Sequence, residues 1–408
     1  MSLPNANWGQ GFPSMADEHP TVALKEIMRY ELSDVDFRRT VENEVETLER
    51  LRRLNHPHLI RAIAYYTLGT RHLVIFPWAG LGNLRDFWKM EPPKLDNRYL
   101  KWVVTQLCGL TDGIEKLHNS GEDSMMRHGD LKPENILCFE STGELVEEKE
   151  GPCILVIADV GLTKNHNLVT EQRKDKTRTQ SGTIMYEPPE TEFEKQRNIP
   201  RSRRYDIWSM GCIYLEFVIW LLYGAEELER FRNDLGEDRR FYSTRDVRNN
   251  PLKTPKLHSM VQKWVDWITD DARCPENTAL RHLVELIVTR LLVPSIGEVK
   301  KLNRRDSVLY DPQASRSLND SPPESPRIIR TSTSSTYFGF TDSAFDHRAT
   351  AKEMNEKMQQ ILIDAKSSKI EWMKRDAPGK KGPGQFGHTL APSNAALAVP
   401  PSTRDHEV

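Results

Sequence analysis

The sequence predicts an α+β protein of two unequal parts, a small sheet carrying one helix and a larger, mainly α-helical region. Three observations predict it. Strand-like patterning dominates residues 21–76 and is broken by a single helical stretch. From about Leu100 onward the apolar spacing is mostly helical. The 408 residues also exceed what one hydrophobic core usually organises, so two lobes or one large domain with unstructured additions are expected.

In the first part, "TVALKEIM" alternates and is rich in strand formers. "DFRRTVENEVETLERLRRL" places Val41, Val45, Leu48 and Leu51 at helical spacing. "LIRAIAYYTLG" and "RHLVIF" then flank a turn at Gly69. In the second part, Val103, Leu107, Leu110, Ile114 and Leu117 line one face of a helix. The apolar strands "NILCF" and "CILVIAD" bracket an acidic, turn-rich segment, as in an extended hairpin. Helical patterns return at Tyr205–Tyr223, His258–Ile268 and Leu280–Val293, and again in "ATAKEMNEKMQQILIDA" from Ala349. Residues 295–344, with "ASRSLNDSPPESPRIIRTSTSST", bury too little apolar surface to offset the entropy of ordering and are expected to be a disordered insertion. Residues 369–408 read as a linker-like, disordered tail.

Composition narrows the function. The net charge of −2 creates no global field toward nucleic acid or an anionic membrane, so neither is expected as a partner. Five scattered cysteines, Cys108, Cys138, Cys153, Cys212 and Cys274, lack metal-ligand spacing and suit a reducing compartment. The N-terminus lacks the pattern of a secretory signal, and the longest apolar run, Cys212 to Gly224, reads as a buried helix rather than a membrane span. A cytoplasmic protein is expected, with "KKLNRR" from Lys300 as a weak candidate nuclear address.

The chemistry concentrates in "HGDLKPEN". Pro133 disfavours helix at Lys132, so Asp130, Lys132 and Asn135 should sit on an extended loop entering a strand. Such a loop can aim several polar groups into one cleft. Asp130 can accept a hydroxyl proton, Lys132 can neutralise a phosphoryl oxygen, and Asn135 offers a hard oxygen to Mg²⁺. This set suits phosphoryl transfer to an alcohol.

"HGDLKPEN" resembles the catalytic loop of the eukaryotic protein kinases, in their serine/threonine branch. The resemblance implies a bilobal protein-kinase-like fold, ATP and Mg²⁺ as cofactors, and protein substrates bearing Ser or Thr. It also implies further roles. Lys25 of "VALK" resembles the lysine that binds the α- and β-phosphates, with Glu44 as its ion-pair partner on the following helix. Glu46 is a rival for that role, and helical phase favours Glu44. Asp159, followed by Val160 and Gly161, resembles the metal-binding Asp-Phe-Gly and would share the metal with Asn135. In "HLVIFPWAG" the Phe76 carbonyl and the Trp78 N–H would meet the adenine edge, with Ile75 behind it. "GTIMYEPPE" resembles the end of the activation segment, with the Thr183 hydroxyl near the catalytic pair and Glu190 paired to Arg348 of "HRATAKEM". Asp206 would accept hydrogen bonds from the catalytic-loop backbone, and His128 is expected to pack as a structural histidine.

Three departures stand out. Residues 1–20 offer only Gly9 and Gly11 for a phosphate loop, without the third glycine, so an incomplete glycine-rich region is expected there. This leaves a second reading open, a pseudokinase or scaffold with impaired ATP binding. Gly129 stands where the family has an arginine that pairs with an activation-segment phosphate, so that coupling lacks its receiving group. Val160 replaces the usual phenylalanine. The expected organisation is thus an N-lobe over residues 21–78, a C-lobe over 79–294, the insertion, and the end of the C-lobe over 345–368.

Overall fold

The computed structural model describes residues 21–29, 32–120, 126–140, 151–160, 184–191, 202–237, 239–243, 255–295 and 347–383. Strand β1 (Val22–Ile27) turns Ala23, Lys25 and Ile27 inward, as a period of two requires. Helix α1 (Asp34–Leu54) starts at Ser33, whose hydroxyl accepts from the Asp36 N–H, and has acidic residues in its first turn and basic ones in its last, which suits the helix dipole. It ends where Asn55 takes a left-handed conformation at φ 43°. Strands β2 (Ala64–Leu68) and β3 (Arg71–Pro77) flank Gly69, whose φ of 60° suits the tight turn. All pairings are antiparallel in the order β1-β3-β2, with Lys25 opposite Val74 and Ala23 opposite Phe76.

The strand expected from Leu59 onward is shorter than its sequence pattern. Leu59 and Ile60 are buried and leave the sheet to meet Ile157, so the regular strand begins only at Ala64, where it lies exposed on both faces. Burial of two large apolar side chains outweighs the strand propensity of the segment.

After the short α2 (Leu84–Phe87), the long α3 (Asn97–His118) is capped by Asp96 and buries Leu100, Val103, Leu107, Leu110, Ile114 and Leu117 completely. Strands β4 (Ile136–Glu140) and β5 (Cys153–Ile157) form the expected antiparallel hairpin, whose connection lies outside the described residues. Helix α4 (Arg204–Tyr223) runs through the centre of the core. It starts before the apolar run and is therefore long and apolar enough to cross a membrane by length and composition, yet its apolar stretch is wholly buried inside the protein. Its apolarity is that of a core helix on every face.

Gly224, at φ 90°, ends α4 and lets the chain turn directly into α5 (Ala225–Asp234), a helix the sequence reading left out. Strands β6 (Tyr242–Ser243) and β7 (Lys256–Leu257) make a minimal pair. Helices α6 (Ser259–Thr269) and α7 (Ala279–Leu286) follow, the latter continuing as a π turn over Ile287–Leu291. The last helix among the described residues, α8 (Ala351–Lys366), opens with a capping box between Thr350 and Glu353. All five cysteines are buried thiols.

The expectation of a linker-like tail from residue 369 needs correction at its start. Ile370 and Met373 are buried, and the backbone of Glu371 pairs with that of Asn277 and Ala279 at the start of α7. Burial of these side chains, with the Leu280 N–H bonding the Trp372 carbonyl and Lys380 lying over the Trp267 ring, holds a Gly-, Pro- and Lys-rich stretch against the helical part. The expected insertion is outside the described residues apart from Ser295. So are the remainder of the tail beyond Gly382 and Pro383, Lys300–Arg305, and residues 1–20.

Candidate active site

Sheet and helix bring together three groups that stand far apart in sequence. Lys25 projects inward from β1, and α1 packs so that Glu44 faces it. The Lys25 Nζ donates to Glu44 Oε1 at 3.0 Å and to Asp159 Oδ1 at 2.8 Å. Burial alone would lower the Lys25 pKa, but the adjacent Asp159 and Glu44 carboxylates outweigh it and raise it above the ordinary lysine value. Asp159 shows the reciprocal effect. Burial opposes its charge, yet Lys25, with His128 and Lys132 nearby, holds its carboxyl below the usual range. Glu46, the rival partner, is on the outer face and pairs with Arg50.

Asp159 itself sits at φ 61°, a conformation that costs a non-glycine residue on the order of 1 kcal/mol or more. Its ion pair with Lys25 helps hold that conformation. Val160 directly after it is buried, as an apolar residue there should be.

A second cluster lies on the loop before β4. The Lys132 Nζ donates to Asp130 Oδ2 at 3.0 Å. The Asn135 amide donates to the Asp130 carbonyl at 2.8 Å and to Asp130 Oδ2 at 3.3 Å. Those bonds use the amide nitrogen of Asn135 and one carboxylate oxygen of Asp130. The hard amide oxygen of Asn135 and the Asp130 Oδ1 take no part in them. Pro133 opens a single 3-10 turn, Pro133–Asn135, so the segment is extended at Lys132 and tightens only beyond it.

The two clusters are tied by backbone. The Asp130 N–H donates to His128 Nδ1 at 3.3 Å, which leaves Nε2–H to donate to the Ala158 carbonyl at 2.7 Å. The Ala158 N–H in turn reaches the Asn135 carbonyl at 2.8 Å. His128 is therefore a buried structural brace between the loop and the residue before Asp159. Beneath it, Asp206 in the first turn of α4 accepts from the His128 N–H at 2.8 Å, the Gly129 N–H at 2.7 Å and His118 Nε2 at 2.8 Å. Burial opposes the Asp206 charge, but His118, His128 and the Gly129 N–H hold its carboxyl below the ordinary range. Gly129 has φ 74°, which glycine adopts without cost and which an arginine there would not.

Phe76 is buried near the end of β3, opposite Ala23, and Trp78 follows Pro77 exposed where the sheet passes into the helical part. Gly9, Gly11 and Thr183 lie outside the described residues. Arg348 is fully buried and makes a two-pronged pair with Glu190, at 2.7 and 2.9 Å.

A buried network escaped the sequence reading. Arg85 donates to Glu134 at 2.9 Å and to the Tyr186 hydroxyl at 2.8 Å. Tyr186 donates to Glu216 at 2.6 Å, and Arg232 donates to Glu216 at 2.7 Å. Glu216 was the available signal, because a carboxylate inside an otherwise apolar helix must find partners.

The family model for the protein kinase domain matches residues 10–279. The chain belongs to the protein kinase family. Among similar proteins, the serine/threonine-protein kinase chk-2 of Caenorhabditis elegans is 28% identical over 43% of this chain and 32% of its own length. GLH-binding kinase 1 of the same organism is 29% identical over 53% of this chain and 50% of its length. The serine/threonine-protein kinase RAD53 of Saccharomyces cerevisiae is 28% identical over 54% of this chain and 24% of its length. The chain thus spans a quarter to a half of the length of these kinases. The kinase match ends before most of α7 and all of α8, so Arg348 comes from beyond the matched stretch.

Proposed function

We propose that this chain is a serine/threonine protein kinase that transfers the γ-phosphoryl of ATP to Ser or Thr hydroxyls of protein substrates. The observation that carries the reading is the convergence of Lys25, Glu44 and Asp159 beside Asp130, Lys132 and Asn135, with every ammonium directly paired to a carboxylate. A scaffold has no chemical need for this set.

Each residue has a defined task in this reading. Lys25, held between two carboxylates, presents a fixed positive charge to the α- and β-phosphates, and Glu44 fixes its direction. The Asp130 Oδ1, the oxygen not engaged by Lys132 and Asn135, accepts the proton of the substrate hydroxyl as its oxygen attacks phosphorus and the β–γ bridging bond breaks. Lys132 offsets charge on the moving phosphoryl oxygens. Phe76 and Trp78 offer a backbone carbonyl and N–H to the adenine edge, and Pro77 between them removes only its own donor. The donor set also fits Mg²⁺. Asp159 supplies a carboxylate held ionised by its neighbours, and Asn135 an amide oxygen oriented by its own N–H bonds. When bound, the metal neutralises phosphate charge. The rest of catalysis is positioning and electrostatics from the chain itself.

The test is ATP- and Mg²⁺-dependent phosphorylation of a generic Ser/Thr protein by the purified chain, with Asp130→Asn as comparison. Loss of the proton acceptor should lower turnover by a factor on the order of 10² or more. Equal signal from both proteins would reject the reading. A thermal shift with MgATP but no turnover would favour a nucleotide-binding scaffold.

A further inference from the structure

A polar relay runs from α8 to the loop that follows α1. Helix α3 carries Gly109 and Gly113 one turn apart, and they open a notch for that loop. A Cβ at Gly109 would stand 2.0 Å from His58 Nε2, and one at Gly113 would stand 3.3 Å from His56 Nδ1 and 3.4 Å from Leu59. The loop therefore sits directly on the helix backbone.

Its two histidines have different tasks. The His58 N–H donates to His56 Nδ1 at 3.1 Å, so the proton of the neutral ring is on Nε2, which donates to Asp112 Oδ2 at 2.8 Å. His58 Nδ1 donates to the Leu155 carbonyl at 2.7 Å. Backbone bonds join the same stretch to β5, from the Ile157 N–H to the His58 carbonyl and from the Ile60 N–H to the Ile157 carbonyl, both 2.8 Å. β5 leads two residues later to Asp159, and α1, just upstream, carries Glu44. Both partners of Lys25 thus depend on where this loop rests.

The loop's main polar anchor on α3 is Asp112, and Asp112 is itself held from α8. Asn355, buried on α8, donates from its amide nitrogen to Asp112 Oδ1 at 3.0 Å and to Glu115 Oε2 at 2.6 Å. Asp112 and Glu115 are like charges three residues apart on one helix face, an arrangement that repels. The Asn355 amide bridges them and fixes Asp112 so that its other oxygen points at His56.

We propose that Asn355 is a positioning residue for phosphoryl transfer, acting through Asp112 and His56 to seat the loop that sets Glu44 and Asp159 against Lys25. The proposal rests on the kinase reading for its catalytic consequence and on geometry for the relay. α8 lies outside the stretch that matches the kinase domain, so a helix beyond that stretch becomes a determinant of the ATP-facing cluster.

The experiment measures kcat, KM for the protein substrate and amide exchange in the full chain bearing Asn355→Leu, Asp112→Ala, both together, or Asn355→Ser as a milder change. Asn355→Leu should lower kcat by about tenfold with KM for the protein substrate unchanged, and Asn355→Ser by less. The double variant should be no worse than Asp112→Ala alone, because residues in one network do not act independently. Exchange at the Ile60 and Ile157 amides should quicken in Asn355→Leu. Ile361→Ala, which removes buried surface from the same helix away from the relay, should lower Tm while leaving kcat and those two amides unchanged. Multiplying losses in the double variant, or unaltered exchange at Ile60 and Ile157, would overturn the relay. An unaltered chain without turnover would remove the kinase reading, and the exchange measurement would still decide the relay.

Discussion

Replacing Asp206 by asparagine exchanges one oxygen for an NH₂ group and removes a charge that three donors share. In the native site one oxygen accepts from the His128 N–H and His118 Nε2 and the other from the Gly129 N–H. An asparagine that keeps its oxygen toward His128 must turn its NH₂ at the Gly129 N–H, leaving that buried donor unpaired. A hydrogen bond to a charged group contributes about 1.5–3 kcal/mol, and an unsatisfied buried donor costs about 1–3 kcal/mol, so these overlapping terms give a loss of about 3 kcal/mol. For a domain of about 300 residues that lowers Tm by roughly 5 °C. The loop carrying Asp130 should loosen as well, because Gly129 immediately precedes it. Thermal and urea unfolding measure the first effect, and kcat below the new Tm measures the second. A variant that melts within about 2 °C of the native protein and keeps its kcat would refute the claim that this buried carboxylate holds the loop.

Arg348→Met should cost about 3–5 kcal/mol, since it strands Glu190 in the core without its counter-charge. Adding Glu190→Leu should recover much of that loss in urea melts, and a double variant as unstable as the single would contradict it. Ending the chain after Lys369 removes buried Ile370 and Met373 and should destabilise it by about 3 kcal/mol or more, readable as a lower urea midpoint. Acid should weaken the fold through Asp159 and Asp206. Both carboxyls are held below their ordinary range, so their contribution is complete above about pH 4 and disappears as the pH falls through their folded values. Asp206→Asn should shrink that acid dependence, and an unchanged pH profile of Tm would count against it. Because Gly129 offers no cation for a phosphate, Thr177, Thr179 and Ser181 all changed to alanine should leave kcat within about twofold of the native value. A large drop in kcat would reject that inference.

Much of the site was legible because its residues carry chemistry in short, ordered stretches. "HGDLKPEN" fixes a loop through Pro133 and carries the groups proposed as proton acceptor, cation and metal donor within six residues. Helical phase alone separates Glu44, which turns inward to Lys25, from Glu46, which pairs outward with Arg50. Strands β1, β3, β4 and β5 and helices α1, α3 and α8 followed from their apolar patterning, and α4 from a run that is apolar on every face. Asn355, Asp112 and His56 gave no such signal, nor did the Arg85–Tyr186–Glu216–Arg232 network beyond the lone Glu216. Their partners lie tens to hundreds of residues apart, and each is an unremarkable polar residue until packing removes water from around it. The shortened β2 and the docked start of the tail have the same cause. Local preference is encoded residue by residue, whereas the choice between a strand's hydrogen bonds and a buried seat for Leu59, or between a free tail and one pinned by Ile370 and Met373, depends on the surface another part of the chain presents. The sequence by itself therefore determined the main strands and helices, the polar groups of the candidate site and the partners that lie in patterned stretches, whereas the tertiary structure decided the short elements and those partners, such as Asn355, Asp112 and His56, that become distinctive only when packing removes water from around them.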